Sequence, residues 1–210
     1  MRRLDLRGSD RRRRAGFGGI LLGAVLAAGL AAPAAAGEVA RAGEAAEAAL
    51  AAGDTVKALA ALEGAVDSVW REGPLAFRKA LAVDSVAGFA DYEPRDDKPY
   101  APGEAMQVYV EPVGFAYAPE GGKHRVRMSA DLAITNPTGQ VIVEGKDMFS
   151  IDTALAQPRR EFDLVLSYKV PELAPGSYTA EFKLRDAASG KEASFSVPFE
   201  IAASTAEKTD

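Results

Sequence analysis

Residues 176–201, GSYTAEFKLRDAASGKEASFSVPFEI, alternate apolar and polar side chains on both sides of one turn, and this period of two constrains the chain more than any other feature. Successive residues of a strand point to opposite faces, so a half-buried strand alternates in this way. Tyr178, Ala180, Phe182 and Leu184 face one side, while Thr179, Glu181, Lys183 and Arg185 face the other. After the turn formers at 186–190, Ala193, Phe195, Val197, Phe199 and Ile201 alternate with Ser194, Ser196, Pro198 and Glu200. The pattern predicts a hairpin with one wet face, Phe182 inward and Lys183 outward. Pro198 has no N–H to give to a ladder, which places the last strand at a sheet edge or that position at a bulge. A lone hairpin is marginal in water, so these strands need others.

Further runs supply them. Met106, Val108 and Val110 alternate with Gln107, Tyr109 and Glu111, and Val126, Met128, Ala130, Leu132 and Ile134 alternate with Arg125, Arg127, Ser129 and Asp131. Phe162, Leu164, Leu166 and Tyr168 alternate with Asp163, Val165, Ser167 and Lys169. NPTG at 136–139 is a turn into a strand at 141–143. FRKALAVDSVAGF at 77–89 reads as a strand, because Leu81 and Val83 alternate with Ala82 and Asp84 after Pro74. About seven strands over about 125 residues predict a mainly β fold, an antiparallel β-sandwich over residues 74–201. Residues 202–210 have no periodicity and are expected to be a disordered tail.

Residues 37–73 differ in being alanine-rich with helical spacing. Val56, Leu59, Leu62, Val66 and Val69 recur at steps of three and four, with Asp54 as N-cap and Gly73-Pro74 as the stop. A preceding helix from about residue 39 ends at Gly53, so the two form a helical hairpin whose stripe packs on the following domain or on a partner.

The chain opens with a leader. Arg11, Arg12, Arg13 and Arg14 precede the uncharged run AGFGGILLGAVLAAGLAAPAAA, which ends in three alanines. A basic region, an apolar region and a small-residue site predict a signal peptide over 1–36, cleavage after Ala36 and a periplasmic or secreted protein. An uncleaved segment would be about long enough to anchor the chain in a membrane. Residues 1–36 hold seven arginines and two aspartates, so the mature chain carries 18 basic and 28 acidic residues and a net charge of −10. That charge repels phosphate backbones, and nucleic acid is not expected as a partner.

LAPGSYTAEFKLRD followed by GKEASFSVPFEI resembles the closing hairpin of bacterial immunoglobulin-like and fibronectin-like modules, in which a Pro-Gly turn starts a strand. Residues 74–201, with GFADYEPR and PGEAMQVYVEPVGF, are similar to exported proteobacterial proteins built on such a sandwich. The resemblance implies an immunoglobulin-like β-sandwich preceded by the helical hairpin, and it implies no activity. AALAAGDTVKALAALEGAV resembles the turn of one tetratricopeptide-type repeat, but about three repeats are needed for a solenoid.

The residues offer little chemistry. The chain has no cysteine, which excludes disulfides, thiolate metal sites, a cysteine nucleophile and an acylated cysteine anchor. His124, the single histidine, lies in EGGKHRV without a triad or metal spacing and reads as a solvated loop residue. Glu93, Asp96 and Asp97 lack the spaced ligands of a calcium loop, and Glu120-Gly121-Gly122-Lys123 lacks phosphate-loop spacing and reads as a turn. No cofactor or metal is expected. GFADYEPRDDKPYAPGEAMQVYVEPVGFAY gathers tyrosine and arginine, the composition of contact surfaces. Tyr109 and Glu111 fall on the polar face of their strand, so Tyr92, Arg95, Tyr109 and Glu111 are the candidate binding residues, for an envelope protein or another envelope component. The competing expectation is that these aromatics cap the core while Arg95 pairs with a carboxylate, and that Trp70 anchors its helix on the sandwich. The favoured function is a non-catalytic exported binding or envelope-associated module. The alternatives are a carboxylate-based hydrolase of envelope polymer and an assembly protein that docks through its helical pair.

Overall fold

The computed structural model describes residues 34–203. Residues 1–33 and 204–210 lie outside them, so the expected signal peptide and disordered tail fall mostly there. The alanine-rich stretch forms two 18-residue helices, α1 (Ala34–Ala51) and α2 (Thr55–Glu72). Asp54 caps α2 as its position suggests, its carboxylate accepting the Lys57 N–H at 3.0 Å. The last turn closes where the Gly73 N–H donates to the Val69 carbonyl at 2.8 Å.

The remainder is antiparallel β. Its strands are β1 (Ala76–Gly88), β2 (Asp91–Pro94), β3 (Ala105–Val113), β4 (Ala118–Glu120), β5 (Lys123–Thr135), β6 (Val141–Leu155), β7 (Leu164–Lys169), β8 (Gly176–Asp186) and β9 (Glu192–Ile201). One sheet has the order β2-β1-β3-β7. In the other, β4, β5, β8 and β9 follow one another and β6 pairs with β5. Apolar positions read from the alternation meet in one core, where Met106, Val108, Leu164 and Leu166 of the first sheet join Ala130, Leu132, Phe182 and Leu184 of the second. Phe182 stacks on Phe195 across the β8–β9 pair, with ring centroids 5.1 Å apart. β9 is the terminal strand of its sheet, the position Pro198 requires.

Three features depart from the sequence reading. The strand expected at 141–143 runs on to Leu155, interrupted by a register shift in its pairing with β5. Asp147 takes φ 51° there and gives its N–H to the Asp131 carboxylate at 2.7 Å. The interruption breaks the alternation, which resumes as Phe149, Ile151, Thr153 and Leu155. The short strands β2 and β4 carry too few residues for a period to register, three in the case of β4. His124 lies at the start of β5, half-buried, with its ring edge-on to Tyr117 at 6.2 Å, and not in a solvated loop.

The helices are tied to the sheets at one end of α2. Trp70 Nε1 donates to the Phe115 carbonyl at 2.8 Å, and the two rings meet edge to face at 5.2 Å. Gly114 has φ +79°, and a Cβ there would stand 2.5 Å from the Pro74 carbonyl oxygen, so only glycine lets these two backbones approach. Trp70 thus anchors its helix, as its place in the sequence suggested.

Candidate docking face

The four residues singled out in the tyrosine-rich stretch do not form an outward patch. Tyr109 is 0% exposed and Glu111 is 3% exposed. The face of β3 expected to be wet is covered because the chain leaving β1 folds back over it: the Ala90 N–H donates to the Tyr109 hydroxyl at 2.9 Å, and the Tyr92 ring stacks on Tyr109 at 4.4 Å. The Tyr109 hydroxyl in turn donates to Glu111 Oε1 at 3.0 Å. Burial, together with the neighbouring Glu111 carboxylate, pushes the Tyr109 phenol up to about 12. Arg95 belongs to a different cluster. Its guanidinium lies 3.7 Å from the Tyr100 ring centroid and pairs with Asp84 at 3.1 Å and Glu104 at 2.8 Å. It also donates to the Lys98 and Pro99 carbonyls, both at 3.1 Å, which ties down the segment between β2 and β3. Alternation located the two faces of β3 but could not show that both are covered.

The helices carry what the tyrosines lack. α1 and α2 pack on each other through small residues, Ala46, Ala49 and Ala58 with Ala61 beside them, and the Ser68 hydroxyl donates to Glu38 at 2.8 Å along one flank. This alanine seam leaves the large aliphatics outside it. Val56, Leu59, Leu62, Val66 and Val69 are 45–80% exposed, with Leu50 at 57% and Val39 at 38%. The stripe was legible in the sequence, but its place was not: it packs neither on α1 nor on the sheets.

Helical geometry shows that these side chains share a face. At about 100° per residue, Val39 and Leu50 lie about 100° and 120° round α1 from Glu38, on the far side of the seam alanines Ala46 and Ala49. Leu59, Leu62, Val66 and Val69 lie on the flank of α2 opposite Ser68, with Val56 at the edge. Since Glu38 and Ser68 meet on one side of the pair, the six aliphatics lie together on the other.

Beside the helices, Trp70, Tyr117, Arg159, Arg160 and Lys191 line a cleft of about 900 Å³. Three of its polar side chains are engaged within the protein: Arg160 pairs with Asp67, the Tyr117 hydroxyl bonds the Arg159 backbone, and Lys191 is held by three carbonyls. The cleft is a joint between helix and sheet. Among the described residues no three His, Cys, Asp or Glu side chains are grouped to hold a metal ion, and no helix is long and apolar enough to cross a membrane.

No family model matches the chain, and no curated protein matches it. Solved structures similar to it include the alkylpurine DNA glycosylase AlkC of Pseudomonas fluorescens bound to DNA containing an abasic site analog, at TM-score 0.34 and 10% identity over 73% of this chain and 40% of that one. Spo0M, a sporulation control protein of Bacillus subtilis, matches at TM-score 0.34 and 14% identity over 62% of this chain and 50% of that one. The chain therefore spans half or less of the length of either protein.

Proposed function

We propose that the chain is an exported, non-catalytic binding or envelope-associated module, an immunoglobulin-like β-sandwich that carries an α-helical hairpin and docks a protein of the cell envelope through that hairpin. The observation that carries this reading is the exposed aliphatic face of α1 and α2. Burying a Val or Leu side chain completely contributes about 1.5–3 kcal/mol, so covering seven that are roughly half exposed contributes roughly 5–10 kcal/mol before the cost of association. A monomer that leaves such a face open lacks its cover. The two sheets over one core support the sandwich, and the basic and apolar leader ending in three alanines supports export to the periplasm or beyond.

The hydrolase reading finds no comparable support. An acid catalyst of that class needs a carboxyl raised toward neutrality. Asp84, Asp131, Asp147 and Asp152 are all held below the ordinary carboxylate range, chiefly by hydrogen bonds to Lys98, Arg185, Ser129 and Arg125 respectively.

The test expresses the full chain and follows it to the envelope. N-terminal sequencing should find Gly37 first; an intact Met1 in the membrane fraction would replace export in free form by anchoring. Leu59→Glu with Leu62→Glu should remove cross-linking to envelope protein without lowering the melting temperature. Cross-linking that persists in this double variant rules out the helical face.

A further inference from the structure

We propose that the cleft between α2 and the sheets binds a small amphiphilic anion, a carboxylate or phosphate carried on an apolar body. The site is separate from the helical docking face and does not rest on it. The cleft has a volume of about 900 Å³, within the range of about 300–1,000 Å³ that holds small ligands, and a joint between two parts of a fold is where such sites are commonly built. Trp70, Phe115 and Tyr117 give it an aromatic wall, each ring edge-on to the next at 5.2 and 5.3 Å. Pro158, Ala116 and Ala188 extend the lining without a polar side chain.

The charge of the lining selects the ligand. Four cationic side chains, Arg71, Arg159, Arg160 and Lys191, stand against two acids, Asp67 and Glu161, in a chain whose net charge is −5. Three of the cations are already committed: Arg160 to Asp67 at 2.5 Å, Arg71 to Glu72 at 3.4 Å, and Lys191 to the end of α2. Arg159 differs. The Tyr117 hydroxyl accepts its N–H at 3.2 Å and donates to its carbonyl, and Pro158 restricts the backbone before it, so the residue is held in place. Its guanidinium is exposed and makes no ion pair or hydrogen bond among the described residues. A planar fork of this kind makes two parallel hydrogen bonds to a carboxylate or phosphate. The Trp70 indole N–H, the Tyr117 hydroxyl and the Ser189 hydroxyl are instead donated within the protein. A polyhydroxylated sugar would therefore find few partners here, whereas a ligand with one anionic end and an apolar remainder buries no unpaired polar group of its own.

Trp70 is the single tryptophan, so its indole N–H gives one nuclear magnetic resonance signal that reports on the cleft. Titrating the protein purified from the envelope fraction with octanoate or octyl phosphate should shift that signal saturably, and the tighter of the two identifies the head group. 1-Octanol, which has the same apolar chain without the charge, should bind at least about tenfold more weakly. Octanoate should lose at least about the same factor with Arg159→Gln, because hydrogen bonds to a charged group contribute that much or more. Arg159 is exposed, so this variant should melt with the parent. Leu62→Glu, on the aliphatic helix face, should bind octanoate as the parent does. An indole signal that neither anion moves, equal binding of octanoate and 1-octanol, or full affinity in Arg159→Gln overturns the proposal. Binding that Leu62→Glu abolishes assigns the ligand to the helix face and overturns it as well. Each of these failures leaves the docking reading to its own cross-linking test.

Discussion

Lys191 Nζ lies 2.8 Å from the carbonyl oxygen of Arg71, at the open end of α2. The same ammonium reaches the Gly114 carbonyl at 2.8 Å and the Trp70 carbonyl at 3.4 Å. One side chain from the β8–β9 turn region thus satisfies carbonyls that the end of a helix leaves free, and places positive charge at the negative end of its dipole. It also fixes the orientation of the aliphatic face relative to the sheets.

Replacing Lys191 by methionine keeps the aliphatic stem and removes the charge. Hydrogen bonds to a charged group contribute about 1.5–3 kcal/mol, so the joint between helix and sheet should loosen by about that much. Amide exchange in α2 should accelerate while exchange in β5 and β8 stays slow, and the fluorescence of Trp70, the single tryptophan, should move to the red. Unchanged exchange in α2 would show that Trp70 and Phe115 hold the joint without the lysine.

The buried placement of Tyr109 and Arg95 reverses what an exposed contact patch would do on mutation. Tyr109→Phe leaves the Glu111 carboxylate and the Ala90 N–H without their partner, at about 1–3 kcal/mol. Arg95→Met leaves Asp84 to Lys98 alone, takes the cation from Glu104 and frees the segment before β3. Each should lower the melting temperature by several degrees, at about 2–4 °C per kcal/mol for a domain of this size. A calorimetric scan that shows either variant as stable as the parent sinks this assignment.

The parts legible in the sequence were those in which one local rule acts alone. Period two placed Met106, Val108, Leu164, Phe182 and Leu184 in the core, because the faces of a strand are fixed by its backbone. Asp54 announced α2 because a cap is a contact between near neighbours. Tyr109 was misplaced because its cover, Tyr92 and Ala90, arrives by a fold-back of the chain that no period records. The stripe from Val56 to Val69 was visible and was expected to pack on the following domain or on a partner, but the sequence pattern did not say which residues form the seam between the helices. The signal that assigns the seam elsewhere is the row of alanines at 46, 49, 58 and 61, which lets the two backbones approach and turns the bulky residues outward.

The register of β8 is open to a paired test. Phe182 is buried between Phe195 and Phe149, with centroids at 5.1 and 5.9 Å, so Phe182→Ala should cost about 3–5 kcal/mol through lost burial and a cavity. Lys183 faces outward and pairs with Glu192 at 2.8 Å across the surface, an exposed pair whose loss costs less than about 1 kcal/mol. Denaturant titration should separate the two variants clearly. Equal midpoints would mean that the strand is turned over.

The last prediction concerns acid. Asp131 on β5 accepts the Arg185 guanidinium from β8 and the Asp147 N–H from the interruption in β6. The Arg185 hydrogen bonds are the largest influence on its carboxyl, and with the Asp147 N–H and the nearby charges of Arg185 and Lys146 they outweigh its partial burial and hold it at about 2, against 3.8 for an unperturbed aspartate. A carboxyl that binds its proton more weakly when folded stabilises the fold wherever the unfolded chain has already lost that proton. The contribution is therefore complete above pH 3.8 and disappears as the pH falls from there to about 2. Asp131→Asn should be less stable than the parent at neutral pH, and the difference should close over that interval. Arg185→Met, which removes the cation and leaves the carboxylate, should flatten the same limb of the stability curve. Urea titrations at several pH values give both results, and a gap between parent and Asp131→Asn that stays constant down to pH 2 would show that the pair contributes nothing through its charge.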